Sequence, residues 1–408
     1  MTTFISRPQI RSRRSHAYPT LDAKLTMTDS KNATRAAMAI GCVFFTFGAM
    51  TGSLAVHFAS IKERLGAGQS EFAVALMLSA IGTIVGIGCA SRIVKHLGSS
   101  KVVLAMGASS AILFAALFGT TSLLTATLVL FALGVASGGT DAAMNIHASM
   151  VEQRLGRPVM TRIHALYSVG GIFGAYTAGV SLNNFPPYVH SVSMALAMLT
   201  LFGIAYRFLL PATSDRGTPA TGLALPRLSL LPLAGLAFLA LFCAGAMRDW
   251  VSIYLTKDLG ADYAIGGTGF AVYSAATAIG RLFGDTLRQS IGLKRMLIAG
   301  GLLGGAALAA GIALGTATSL IVSLALLGLA HANLIPLLFS AAGQAKDGDP
   351  AADIGAVMTI GLSGFIVGPP LIGFVADRAG LSNGLLCVAI ASIALGALAL
   401  KQTSAAAK

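Results

Sequence analysis

Charge is what this chain of 408 residues lacks most: Asp, Glu, Lys and Arg make up only 11% of it, against roughly a quarter in soluble globular proteins. Hydrophobic residues account for 55% and the mean hydropathy is +0.79. What remains cannot furnish the water-facing surface of two or three soluble domains, so the composition places the chain in a membrane. Cysteine is scarce too. Cys42, Cys89, Cys243 and Cys387 all sit in apolar stretches with no C-x-x-C pair, which excludes a disulfide framework and a thiolate metal site. There is no H-E-x-x-H, no serine nucleophile elbow and no Walker sequence. Self-contained ATP hydrolysis is therefore excluded, an intramembrane enzyme is disfavoured, and no cofactor or metal is expected. The formal charge of +13 is spread thinly between apolar runs, so it forms no phosphate-binding stripe and nucleic acid is not an expected partner.

Long apolar runs are what the chain has. A membrane-crossing helix needs about 20 apolar residues, and twelve stretches qualify: 36–58, 72–94, 102–119, 123–146, 163–183, 191–210, 230–250, 264–287, 296–315, 319–342, 354–376 and 384–400. An even number puts both ends of the chain on one side. Basic residues stay on the cytoplasmic side of a membrane. With the termini inside, only Lys62, Arg64, Arg248, Lys257 and Arg378 of the 28 basic residues fall outside. The expected location is a plasma (cell inner) membrane with cytoplasmic termini. Residues 1–34 read as a polar, basic and disordered tail, in which Met27 is a candidate start. His57, near the outer end of the first span, reads as interfacial.

The chain also repeats itself. Shifted by 194 residues, Gly41, Gly66, Gly86, Gly98, Gly107, Gly134, Gly170, Gly174 and Gly179 fall on Gly235, Gly260, Gly280, Gly292, Gly301, Gly328, Gly364, Gly368 and Gly373, where chance would give about three coincidences. An offset of six spans keeps both copies in the same orientation. The predicted fold is an all-α membrane protein of twelve helices in two parallel six-helix repeats. One bundle covers 35–210, a cytoplasmic linker 211–229, the second bundle 230–400 and a short tail 401–408. Two rigid bundles around a central site can expose it to one face at a time, which suits a transporter better than a channel.

At repeat-equivalent places the connections read SRIVKHLGSSK (91–101) and DTLRQSIGLKR (285–295). Gly98, Gly292, Lys101, Lys294 and Arg295 match the loop motif of the major facilitator superfamily, which the chain resembles. Lys95 and Gln289 occupy the motif's acidic position, so a gate latch that the family builds from that acid must be weaker or built otherwise here. Three longer segments, 138–175, 248–255 and 361–381, are similar to the YbjJ-like branch of that superfamily, which includes MosC-type proteins associated with rhizopine transport. The resemblance implies a secondary transporter with a small-molecule substrate.

Ionisable groups inside a bilayer cost about 2.5–3.5 kcal/mol each on insertion scales, so the few present mark candidate sites. Asp141 and Asn145 lie one turn apart in span 4, as a proton-coupling acid with its neighbour or as structural acceptors. His164 and Tyr167 open span 5 at the depth of Asp141, as a relay, a sugar-hydroxyl site or a brace. Tyr273, Thr277, Arg281 and Asp285 form one i, i+4 stripe on span 8. The resemblance favours a gate role for Arg281 and Asp285. His331 and Asn333, near the middle of span 10, are the deepest polar side chains of the second half, with Pro336 able to distort the helix there. Arg248, Asp249 and Trp250 close span 7 at the outer face, as an interfacial anchor or as an outer gate with a stacking indole.

The expectation is therefore a proton-coupled transporter of a small polar organic solute, a sugar, polyol or related compound, working by alternating access as a monomer in the lipid bilayer. Efflux of amphipathic toxic compounds or drugs by proton antiport is the alternative, followed at a distance by a non-transporting receptor or an intramembrane enzyme.

Overall fold

The computed structural model describes residues 27–211, 226–345 and 348–401, without the side chains of residues 27–30, 91, 285 and 351. Among these residues every regular element is helical. The first half comprises α1 (Met27–Arg64), α2 (Gln69–Leu97), α3 (Ser99–Ala116), α4 (Leu123–Leu155), α5 (Met160–Asn184) and α6 (Pro187–Tyr206). The second comprises α7 (Leu231–Ile253), α8 (Tyr263–Leu282), α9 (Gly284–Ile291), α10 (Leu293–Leu314), α11 (Ala317–His331), α12 (Leu334–Gly343), α13 (Pro350–Ala379) and α14 (Leu381–Lys401). A π-helical turn, Tyr254–Asp258, prolongs α7.

Two of the expected spans are broken. Span 8 divides at Phe283 into α8 and α9, and span 10 divides at Ala332–Asn333 into α11 and α12. Among the described residues eleven helical stretches are long and apolar enough to cross a membrane, with α11 and α12 counted together as one, and α8 is not among them. Its 20 residues include four glycines, two threonines, two tyrosines, a serine and an arginine. The polar stripe that makes it a candidate site also lowers its hydropathy. It packs between α5 and α11, so neighbouring helices cover what lipid would not.

The internal repeat is visible in the packing. Helix α1 lies on α5 as α7 lies on α13, and α2 lies on α4 as α8 lies on α11. Helix α3 touches α4 and α6 as α10 touches α11 and α14. Between halves, α2 meets α13 and α5 meets α8, two pairs that exchange under the same shift. Each of these contacts thus has its counterpart, as two copies related by a two-fold axis along the bundle require. The recurring glycines include turn positions: Gly98 and Gly292, between α2 and α3 and between α9 and α10, have φ of 88° and 80°, where a side chain would be strained.

We call the side on which α1 begins the terminal face and the other the distal face. Residues 27–34, expected in the tail, form the first turns of α1, while residues 1–26 and 402–408 lie outside the described residues. Most of the linker does too, but Arg227 at its end pairs with Asp353 of α13 at 2.8 Å.

Candidate functional site

Glycine sets the shape of the centre. A Cβ on Gly48 would overlap Tyr167 O and one on Gly52 would overlap Gly171 O, so only glycines let α1 and α5 approach this closely. The contact holds Thr51 and Tyr167 at the interface with the second half. There they line a cavity of about 300 Å³ together with Ser168 of α5, Arg248 of α7, Tyr273, Ser274, Thr277 and Arg281 of α8, and His331 of α11. Ala240, Ala244, Phe270, Leu334, Ile335 and Phe365 complete its apolar walls. A second cavity of about 280 Å³ lies between α1, α2 and α4 and is lined by Ser79, Thr83, Ser137 and Asp141 beside Asp249 and many apolar side chains. Thr51, Tyr167, Arg248 and Phe365 line both and form the partition.

The partition holds an ion pair that the sequence reading misplaced. Helix α7 does not end at Trp250 but continues to Ile253 and through the π turn. Arg248 and Asp249 consequently sit at the centre. Arg248 Nε donates to Asp249 Oδ1 at 2.7 Å and Nη2 donates to Oδ2 at 3.3 Å, and Asp249 is 1% exposed. Such a two-point pair removes much of the cost of either charge alone. The guanidinium also lies 5.5 Å from the Phe365 ring centre. Trp250 is 0% exposed, packed in the hydrophobic core instead of anchoring at a membrane surface. Of the five basic residues placed outside, Arg248 is thus a cavity residue. The missed signal was the uncharged, mostly apolar run VSIYL after Trp250. His57 is likewise interior: it is buried, its Nε2 lies 3.0 Å from His190 Nδ1, and Phe118 packs edge-on against it.

Asp141 and Tyr167 reach a common cavity, but His164 does not line it and packs edge-on against Phe44 at 5.0 Å. Asn145 donates from Nδ2 to Asp141 O at 2.9 Å and to its Oδ1 at 3.3 Å, so it steadies the acid. His331 does line the first cavity. The Ser392 hydroxyl donates its one proton to Gly301 O at 2.8 Å. His331 Nε2, 2.7 Å away, must therefore be the donor to Ser392 Oγ, leaving Nδ1 as an acceptor.

The α8 stripe faces the cavity at Tyr273, Thr277 and Arg281, while the Asp285 side chain lies outside the described residues. Arg281 has a second task. Pro336 has no N–H to offer Ala332 O, the carbonyl one turn earlier, and Arg281 Nε donates to that oxygen at 3.2 Å. In return, Asn333 Nδ2 donates to Gly280 O at 2.9 Å, beside the break in span 8. Each broken helix is thus completed by a side chain of the other, as backbone polar groups in a membrane demand. Lys95 and Gln289 are exposed near the terminal face, apart from both cavities. Among the described residues no three His, Cys, Asp or Glu side chains converge to hold a metal ion.

Residues 233–408 match the Major Facilitator Superfamily. An uncharacterized MFS-type transporter of Yersinia pestis is 30% identical over 343 residues, 83% of this chain and 88% of that one. The membrane protein MosC of Rhizobium meliloti is 27% identical, with 86% of each chain covered. Among solved structures, a mutant of the nucleoside transporter NupG superposes with a TM-score of 0.70 at 14% identity over 90% of this chain and 99% of that one. A bacterial homolog of the human lysosomal transporter Spinster, in an inward-facing and occupied conformation, superposes equally well, with a TM-score of 0.70 at 12% identity, covering 90% and 96%. The helical duplication, the cavity between its copies and these similarities together identify the chain as a member of the major facilitator superfamily related to the MosC branch, a secondary transporter rather than an enzyme.

Proposed function

We propose that the chain carries a small polar organic solute, a sugar, polyol or related compound, by alternating access and with proton coupling. The observation that carries this reading is the partition between the cavities. Arg248, Asp249, Tyr167 and Thr51, with Asp141 close by, form a group of donors and acceptors in a place where each charge is costly. Around it the first cavity offers the hydroxyls of Ser168, Tyr273, Ser274 and Thr277 and the acceptor of His331. A volume of about 300 Å³ suits a solute of monosaccharide size, at the lower end of small-molecule sites. Asp141 is the coupling acid: a carboxyl in the bilayer that takes and gives up a proton changes the charge of the cavity wall. Arg281 and Asn333 serve the gate on the terminal face. The setting is a cell inner membrane, with the terminal face cytoplasmic and the protein monomeric.

Uptake of radiolabelled polyols and sugars into proteoliposomes, with and without an imposed pH gradient, tests this. The expected outcome is gradient-driven accumulation that Asp141→Asn abolishes while solute counterflow persists. Accumulation unchanged in Asp141→Asn would refute its coupling role. The second cavity supports the other reading. Phe47, Met50, Leu54, Phe58, Leu76, Ile84 and Ile87 give it apolar walls, which fit an amphipathic solute exported by proton antiport. Proton-dependent export of hydrophobic dyes with no polyol flux would decide for it.

A further inference from the structure

At the distal face the two halves are joined by contacts that repeat under the shift of 194. The N-terminal residue before α2 is Gly68, which has no side chain to cap the helix, and the first amides of any helix lack intrahelical acceptors. Asp377, at the far end of α13, supplies them. Its Oδ1 accepts from Gln69 N and its Oδ2 from Ser70 N, both at 2.9 Å. The equivalent of Asp377 is Asn183 at the end of α5, and the equivalent of Gln69 is Tyr263 at the start of α8. Asn183 Oδ1 accepts from Tyr263 N at 3.0 Å. Each half therefore caps a helix of the other.

Two further pairs obey the same rule. Lys257 Nζ pairs with Glu63, and these residues are themselves equivalent, so their ion pair lies across the axis. Tyr263 adds its hydroxyl, which donates to Glu63 Oε2 at 2.7 Å. Gly179 and Gly373 are also equivalent. A Cβ on Gly179 would come within 2.7 Å of Tyr263 O, and one on Gly373 within 2.7 Å of Gln69 O. These glycines bring the caps within hydrogen-bonding reach.

We propose that Asp377, Asn183 and the Glu63–Lys257 pair are the gating residues of the distal face: a two-fold lock of exchanged helix caps around an axial ion pair, which holds this face shut and must open as a unit during transport. The two caps differ in strength. Asp377 brings a full charge to the positive end of α2 and satisfies two amides, whereas Asn183 is neutral and satisfies one. The α2–α13 seam is accordingly the stronger side of the lock. That the lock opens in the cycle rests on the alternating-access reading; its existence as a set of contacts does not.

Hydrogen–deuterium exchange on the full chain in lipid nanodiscs reads the lock directly, because the amides of Gln69, Ser70 and Tyr263 are accepted by Asp377 and Asn183 of the other half. In the unaltered protein, Gln69, Ser70 and Tyr263 exchange slowly. Asp377→Ala accelerates residues 69 and 70 by about fivefold or more, Asp377→Asn does so by less, and Asn183→Ala accelerates Tyr263. Glu63→Lys accelerates both sites, and adding Lys257→Glu restores them, which a merely misfolded single variant would not allow. Unchanged protection of α10 and α14 certifies the fold. Fast exchange of the three amides in the unaltered protein, or no rescue by the charge swap, would overturn the proposal. Opening of the distal face by Glu63→Lys should also increase protection of Leu282–Ile291 at the terminal face. Distal acceleration without that gain would leave the lock standing and refute the rocking of the halves.

Discussion

The same helix crossing is built twice in this molecule, once tight and once broken. In the first half α2 and α4 cross on glycines: a Cβ on Gly134, Gly138 or Gly86 would overlap Ser79 O, Thr83 O or Val135 O. In the second half the crossing of α8 and α11 begins the same way, with Gly328 against Tyr273 O and Gly280 against Leu329 O. It departs at the position equivalent to Gly138, which is Ala332. There the backbones cannot stay so close, Pro336 withholds a hydrogen bond, and both helices break. The freed carbonyls are taken by Arg281 and Asn333. One duplicated unit has thus become a rigid pair of rods in one half and a jointed, polar pair in the other, beside the cavity. A methyl group and a proline set the joint, and two side chains make it tolerable in lipid.

Changes at the crossing should separate the two designs. The largest effect is expected from Gly138→Ala, whose added carbon meets backbone with nowhere to move. It should lower stability by about 3 kcal/mol or more, read as a fall in thermal midpoint in detergent, whereas Ala332→Gly at the equivalent place should cost less than about 1 kcal/mol. Arg281→Ala comes next. It removes both a cavity cation and the donor to Ala332 O, and transport should fall at least about tenfold. Arg281→Lys should fail to restore it, since an ammonium cannot hold the carbonyl through a planar Nε while presenting the rest of the fork. Asn333→Ala leaves Gly280 O without its side-chain donor and should cost about 1 kcal/mol in thermal unfolding. The smallest effect belongs to Pro336→Ala, which restores an N–H for Ala332 O. Alone it should change stability by under about 1 kcal/mol, and combined with Arg281→Ala it should recover part of the loss, a non-additivity measurable in a double-mutant cycle. Strict additivity would mean that Arg281 and Pro336 do not act on the same carbonyl.

Much of the architecture was legible before any coordinates. Apolar runs and the offset of 194 gave most of the helices and their duplication in two parallel halves, because a lipid environment and a repeated glycine pattern leave few alternatives. The α8 stripe and the acid in α4 were legible for the same reason: a polar residue in an apolar run is conspicuous, and its spacing names its face. Arg248 was not, because a charge near the expected end of a span reads as topology until the helix is seen to continue. Trp250 and His57 misled in the same way, since amphipathic rings suit both a headgroup layer and a core, and only packing chooses between them.

Composition and repetition alone made this a membrane-embedded, twofold helical protein, since hydrophobic length and periodicity are local properties that need no partner to be read. The tertiary structure alone decided that Arg248 and Asp249 stand between two cavities, that Arg281 and Asn333 complete each other's broken helices, and that Asp377 and Asn183 cap helices about 300 and 80 residues away. Those facts depend on which surfaces meet across the axis. Hydrogen-bond donors separated by such lengths of chain carry no mark in sequence of the acceptors that will reach them.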